Sequence, residues 1–163
     1  MYKQCLKCGR RLALSKENFE SSSYSATGFR GTCKLCQQGL TEVIKQLHDS
    51  GYRLYIVSSN SVENINTILS NNELNQYFES IVGGVGVFGK TIALKSTIKK
   101  YKIDKKTCIY IGDEVRDIKA SNKVGLSIIS VTWGFNGEQI LSSNKPDFIA
   151  KEPADIVRII ENS

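Results

Sequence analysis

From residue 40 onward, apolar positions recur at helical spacing and then at strand spacing, in turn. Leu40, Val43, Ile44 and Leu47 fall three and four residues apart, which predicts a helix with one buried face. His48-Asp49-Ser50-Gly51 closes it with a glycine cap. Tyr52–Val57 reads as a strand that stops at Ser58-Ser59-Asn60. Ser61–Asn71 predicts a helix with Val62, Ile65, Ile68 and Leu69 inward, and Tyr77–Val82 includes a short strand. A glycine-rich link over 83–89 leads to a helix over Thr91–Tyr101, with Ile92, Leu94, Ile98 and Tyr101 as its apolar positions. Then follow strand Cys108–Ile111, helix Glu114–Val124, strand Ser127–Thr132, strand Pro146–Ala150 and helix Pro153–Asn162.

This alternation predicts an α/β fold for residues 39–163: a Rossmann-like parallel sheet with helices on both faces and right-handed crossovers. Residues 1–38 have a different texture, rich in Ser, Gly, Lys and Cys. Their apolar pieces, Arg11–Leu14 and Phe19–Tyr24, are expected to pair as a small hairpin. The expected organisation is therefore an N-terminal module, 1–38, on an α/β domain, 39–163.

Composition narrows the class. Hydrophobic residues at 40% and charged residues at 23% are globular values. No apolar run reaches the ~18 residues of a membrane helix, and Met1–Cys5 lacks the apolar core of a signal peptide. A cytoplasmic protein without membrane contact is expected. Charge is uneven: residues 1–38 hold seven Lys/Arg against two Glu, whereas the remainder is nearly balanced. A basic head suits nucleic acid or another polyanion. It equally suits a solvated surface offset by a zinc–tetrathiolate centre, whose own charge is about −2.

Four of the five cysteines form two pairs, Cys5-Leu6-Lys7-Cys8 and Cys33-Lys34-Leu35-Cys36, with 24 residues between. A Cys-x-x-Cys turn brings two sulfurs to one metal, and two such turns close a tetrahedral structural zinc site. Cys108 stands alone in an apolar run and reads as a small buried hydrophobe. The stretch from Lys3 to Cys36 resembles the small treble-clef-like zinc modules of phage and mobile-element proteins, through Cys5, Cys8, Gly9, Phe19, Ser21–Ser23, Gly28 and Cys33–Cys36. Some relatives of those modules continue into a nuclease segment. Here His48 is the only histidine, too few for a two-histidine nuclease centre, and it reads as a helix C-terminal cap.

The chemistry concentrates in Ile109-Tyr110-Ile111-Gly112-Asp113-Glu114-Val115-Arg116-Asp117-Ile118. An apolar strand ends in a glycine turn, and two carboxylates four positions apart open the next helix. That arrangement suits Mg²⁺ at the carboxyl end of a parallel strand. A phosphoryl group needs such a cation, a positive side chain (Lys90) and short polar donors at a helix start (Ser59, Asn60). Each residue has a plainer reading: Ser59 as a helix cap, Lys90 as a solvated lysine, Asp113 and Asp117 as helix N-terminal carboxylates.

In order and spacing, Ser58-Ser59-Asn60, Phe88-Gly89-Lys90 and the Asp113/Asp117 pair resemble motifs II, III and IV of the haloacid dehalogenase superfamily, notably its small phosphoglycolate-phosphatase-like members. The resemblance implies that Ser59, with Asn60 beside it, binds the phosphoryl group. It implies that Lys90 neutralises that group and that Asp113 and Asp117 hold Mg²⁺. Motif I of that family, an Asp-x-Asp whose first aspartate is the nucleophile, has no match anywhere in the chain. Its strand belongs between those of motifs II and IV, so its absence predicts either two exposed strand edges or their closure onto each other.

The expectation is thus a phosphatase-related protein, impaired or inactive as a Mg²⁺-dependent phosphomonoester hydrolase, with weak or vestigial Mg²⁺ binding. Two alternatives stay open. One is a zinc-containing binding or regulatory protein that contacts nucleic acid or protein and keeps a phosphate-bearing small molecule in its site. The other is an enzyme completed by a strand from a second copy or a partner chain.

Overall fold

The computed structural model describes residues 39–86 and 89–163 fully. Of residues 1–38 it describes the backbone of strands β1 (Tyr2–Gln4), β2 (Arg11–Ala13), β3 (Phe19–Ser21) and β4 (Phe29–Cys33), and the start of helix α1 (Lys34–Asp49). The two short pieces expected to pair with each other take other partners. β1 pairs antiparallel with β2, and β3 pairs antiparallel with β4. The apolar residues located β2 and β3 but not their partners β1 and β4, and carried no register between strands. α1 follows β4 directly and runs across the 38/39 division. Cys5 and Cys8 lie outside the described residues; Cys33 ends β4 and Cys36 lies in the first turn of α1.

The body follows the expected alternation: β5 (Leu54–Val57), α2 (Val62–Ser70), β6 (Phe78–Val82), α3 (Lys90–Tyr101), β7 (Ile109–Gly112), α4 (Val115–Val124), β8 (Ser127–Val131), α5 (Glu138–Ser143), β9 (Phe148–Ala150) and α6 (Pro153–Glu161). Helix α5 carries too short an apolar pattern to have been expected. Every pairing in the body is parallel, but the sheet is in two parts: β5 with β6, and β7-β8-β9. Among the described residues no ladder joins β5 to β7, so the edges stay open rather than closing onto each other. Among them, too, no helix is long and apolar enough to cross a membrane.

Period-two alternation sorts the strand side chains onto two faces. Leu54, Ile109, Ile129 and Val131 pack with Val43 and Leu47 of α1 and Ile156 of α6. On the other face, Val57, Cys108 and Tyr110 meet Leu94 of α3 and Ala120 and Val124 of α4. Ile65 and Leu69 of α2 cover Ile56 and Ile81. The expected inward positions Leu40, Val62, Ile68 and Ile92 are corrected: all four are exposed, Ile92 by 71%. At Ile92 the core-facing side of α3 is already taken by Leu94 and Thr97. Cys108 is half-buried rather than fully buried.

His48 sits in the last turn of α1, edge-on to the Tyr77 ring at 5.0 Å, and its Nδ1 lies 3.4 Å from Asp49. At the start of α6, Asp155 accepts the N–H groups of Lys151 (2.7 Å) and Glu152 (2.9 Å). Burial pushes the Asp155 carboxyl upward, but these two N–H groups and Arg158 hold it below its ordinary value.

Two predictions follow from the packing and the cap. Ile129→Ala, at a fully buried position, should cost about 2–5 kcal/mol in urea unfolding, whereas Ile92→Ala should stay within about 0.5 kcal/mol. Because the Asp155 carboxyl is lower in the folded chain than in the unfolded one, its contribution is complete above the unfolded value. It is lost as pH falls below about 4. Asp155→Asn should therefore flatten the acid limb of a stability–pH curve and leave its neutral-to-alkaline limb parallel to that of the parent.

Candidate active site

The carboxyl ends of β5, β6 and β7 carry the polar residues. Val57 and Tyr110 pack into one cluster with Leu94 of α3, so the ends of β5 and β7 and the first turns of α3 lie on one side of the sheet. Beyond Val57 the chain turns sharply: Ser58 Oγ accepts the Asn60 N–H at 3.1 Å, and Gly84 N–H donates to the Asn60 carbonyl at 2.6 Å. Ser61, not Ser59, caps α2, its Oγ accepting from Asn64 N–H. Ser59 and Asn60 are exposed at this turn, and neither side chain is spent on the helix.

Asp117 is the centre of the arrangement, although it is only 1% exposed. One oxygen, Oδ1, accepts from Lys90 Nζ and from the Tyr110 hydroxyl (3.1 Å). The other, Oδ2, accepts the N–H groups of Asp113 (3.1 Å) and Glu114 (3.0 Å). Lys90, the first residue of α3, is itself largely covered, with its side chain 15% exposed. It is not a solvated surface lysine. Burial first, and then the negative charge of Asp117, drives the Tyr110 phenol far above its ordinary value, so its proton stays in place.

Asp113 follows the last residue of β7 and faces a loop that the sequence reading did not single out. Its Oδ2 accepts the Phe135 N–H at 2.7 Å, and its carbonyl accepts the Asn136 N–H at 3.0 Å. The Asn136 side-chain oxygen in turn accepts from Val115 N–H at 3.0 Å, at the first turn of α4. Two glycines make room for the two aspartates. A Cβ on Gly112 would lie 2.5 Å from Asp117 Cβ, and one on Gly134 would lie 2.1 Å from Asp113 Cβ. The run Trp133-Gly134-Phe135-Asn136-Gly137 was the available signal, a glycine-flanked loop straight after a strand.

The structure thus brings Lys90, Asp113 and Asp117 together through one carboxylate and sets Ser59 and Asn60 at the same end of the sheet. It gives Asp117 an occupation other than direct contact with a cation, because both of its oxygens are already engaged inside the protein. Among the described residues, one oxygen of Asp113 has no hydrogen-bond donor. Among the described residues no three His, Cys, Asp or Glu side chains gather into a metal-holding group. Mg²⁺ needs only one or two carboxylates when water and phosphate complete its shell. The residues present therefore fit Mg²⁺ as a weak, water-rich site on Asp113. Asp49, the other aspartate beside a strand, lies at the end of α1 that leads into β5, opposite the site.

The chain belongs to the haloacid dehalogenase-like hydrolase family, whose model matches residues 18–131. It is 33% identical over 122 residues to a phosphoglycolate phosphatase of Synechococcus elongatus, which covers 75% of this chain and 58% of that protein. A phosphoglycolate phosphatase of Aquifex aeolicus is 29% identical over 122 residues, 73% of this chain and 56% of that protein. A haloacid dehalogenase-like family hydrolase of Streptococcus pneumoniae shares the fold with a TM-score of 0.65 at 24% identity, over 72% of this chain and 56% of that one. The chain therefore spans somewhat more than half the length of these relatives.

The geometry makes Lys90 a structural residue as well as a site residue. Lys90→Ala would strand a buried carboxylate, and should cost about 3 kcal/mol, the lower end for a broken buried pair, because Tyr110 and two N–H groups remain. Lys95→Ala, on an exposed face of the same helix, should stay within about 0.5 kcal/mol. Gly112→Ala should cost about 1–3 kcal/mol by overpacking against Asp117. Urea titration of the three variants reads all of this, and equal losses for Lys90→Ala and Lys95→Ala would disprove the buried pair.

Proposed function

We propose that this chain binds a phosphate-bearing small molecule at the carboxyl ends of β5 and β7 and hydrolyses it slowly or not at all. The observation that carries this reading is the joint placement of Lys90, Asp113 and Asp117. A positive side chain is held in a fixed position beside a second carboxylate, one oxygen of which has no donor among the described residues, and the exposed Ser59 and Asn60 share that end of the sheet. Lys90 offsets the charge of the phosphoryl oxygens. Ser59 and Asn60 donate to them. Asp113 carries Mg²⁺, which when bound neutralises the phosphate further. Asp117 is a positioning residue: it fixes the Lys90 ammonium and the backbone that presents Asp113.

No Asp-x-Asp stands anywhere in the chain. Without an aspartate to attack phosphorus, the covalent route of the family is closed to these residues, and losing a nucleophile costs orders of magnitude in rate. The substrate class of the relatives, a small phosphomonoester, is the natural ligand class for this site.

Phosphorus NMR or calorimetry with inorganic phosphate and Mg²⁺ should show saturable binding that Ser59→Ala weakens several-fold without loss of stability. With p-nitrophenyl phosphate, turnover should stay well below about 1 s⁻¹, the low end of ordinary enzymes. Turnover at or above that value, abolished in Ser59→Ala, would overturn the impaired reading. Ser59→Ala is the cleaner probe, because Lys90→Ala also damages the fold.

The paired Cys-x-x-Cys turns support a further part of the proposal: one structural zinc on Cys5, Cys8, Cys33 and Cys36. Elemental analysis should give about one zinc per chain, and Cys33→Ser should lose it while Cys108→Ser keeps it. A folded, metal-free protein with four free thiols would reject the site. The surplus of positive charge in residues 1–38 favours a second reading, in which the zinc module contacts nucleic acid. Such binding should weaken steeply with salt. Binding that ignores ionic strength, or no binding at all, would leave the basic residues as a solvated surface.

A further inference from the structure

We propose that the outer face of helices α3 and α4 docks the phosphate backbone of a nucleic-acid duplex. This surface lies on the α/β body. It depends neither on the phosphate reading of the active site nor on the zinc module.

The first observation is the sign of the charge. Helix α3 holds Lys90, Lys95, Lys99 and Lys100 and no carboxylate. Helix α4 holds Arg116, Lys119 and Lys123, and Asp117 is its only carboxylate. That carboxylate is buried and taken by Lys90, and Arg116 is paired with Glu114. The remaining Lys95, Lys99, Lys100, Lys119 and Lys123 are all exposed. The turn after α3 adds the exposed Lys102, Lys105 and Lys106 against Asp104 alone. Residues 39–163 as a whole are nearly balanced, so this surplus is a local segregation and not the average of the body. Helices α1 and α6, on the other side of the sheet, carry both signs: Glu42 with Lys45, and Asp155 and Glu161 with Arg158.

The second observation is placement. Leu94 and Ile98 of α3 pack with Ala120 and Val124 of α4 over one face of the sheet. Helices in such contact lie about 8–10 Å apart, so the two rows of lysines make one face. With 12 residues, α3 gives that face a length of about 18 Å.

The third observation is a cost. An exposed helix face gains a few tenths of a kcal/mol from each Glu–Lys pair four residues apart, and like charges at that spacing lose about as much. Lys95 with Lys99, and Lys119 with Lys123, are two such like-charge pairs, one on each helix. The helix dipole accounts for Lys99, Lys100 and Lys123 in the last turns. It does not account for Lys95 and Lys119, which sit in mid-helix. A polyanion laid across both helices offsets the repulsion.

The chemistry of the face selects the polyanion. Lysines are compact point charges that suit phosphate, whereas base edges are read chiefly by Arg, Asn and Gln. The one arginine on these helices is tied to Glu114. Contact is therefore with the backbone and carries no sequence preference. A duplex has one charge per about 1.7 Å, so an ~18 Å face lies along roughly ten of them. A lipid surface fits less well. A helix lying in a membrane inserts an apolar face, and those of α3 and α4 are spent on the sheet, with Ile92 as the one large apolar side chain they expose.

Fluorescence anisotropy of the full chain with a labelled DNA duplex of mixed sequence, over a salt series, tests this. One variant carries Lys95→Gln, Lys99→Gln, Lys119→Gln and Lys123→Gln together. A second, of equal net charge, carries Lys3→Gln, Arg10→Gln, Arg11→Gln and Lys16→Gln. The parent should bind with a steep salt dependence, and a duplex of shuffled sequence should bind equally well. In the helix variant the slope of log K against log salt should flatten by about three to four, at about 0.9 per lost phosphate contact. The second variant should flatten less. Urea unfolding should find the helix variant at least as stable as the parent, because two like-charge pairs are gone, so its lost affinity is not a lost fold. Three results would overturn the inference. The parent could fail to bind the duplex. The helix variant could keep the parent's slope, or flatten less than the second variant, which would place binding on residues 1–38. Phosphatidylserine vesicles could bind more tightly than the duplex, which would make the face a lipid contact.

Discussion

A carboxylate buried to 1% exposure is tolerable only if all of its lone pairs are used, and Asp117 meets that condition with four donors from three places in the chain. Lys90 arrives from the start of α3, Tyr110 from the middle of β7, and the N–H groups of Asp113 and Glu114 from the turn between β7 and α4. The ion pair therefore fixes where α3 begins relative to β7, and it fixes the backbone that aims Asp113. Gly112 is part of the same constraint, because any side chain there would displace the carboxylate. Fold and site share one group of atoms: the lysine that would face a phosphoryl group is also the counter-ion of the buried aspartate. Such an arrangement can persist for the sake of the fold alone. Removing its parts would cost stability.

Much of this was legible in the sequence. The periods of apolar residues located every element from β5 to α6 except the short α5 to within a residue or two, and the order of Ser59, Lys90, Asp113 and Asp117 indicated one site at the strand ends. What could not be read had physical causes. Ile92 lies at helical spacing, but spacing alone does not say how wide a buried face is, and on α3 Leu94 and Thr97 suffice. In residues 1–38 only β2 and β3 were recognisable, and such short strands carry too few side chains to specify a partner. Asp113 and Asp117 look equivalent as two carboxylates at a helix start. Only tertiary packing separates them, burying one against Lys90 and leaving an oxygen of the other without a donor among the described residues. The loop Gly134–Asn136 acts mainly through its backbone N–H groups, which leave almost no trace in residue types.

The same absence shapes the chemistry and the sheet. The Asp-x-Asp of the family belongs to a strand between those of Ser59 and Asp113, and the structure has its open slot in that place, between β5 and β7. On the reading proposed above, the lack of that strand removes two things at once: the attacking carboxylate, and the inner ladder that would bury β5 and β7. The two losses differ in kind. The chemical one is nearly all-or-none, since no other aspartate lies at that end of the sheet except Asp113 and the fully engaged Asp117. The structural one is partial, because α1 and α6 on one face and α3 and α4 on the other still bridge the gap through Leu54, Ile109, Val57 and Tyr110. The helices hold the two half-sheets at a common level, so the strand ends stay aligned. A phosphate could still meet Lys90 and Asp113 there, where among the described residues no aspartate besides Asp113 and Asp117 stands at that end of the sheet.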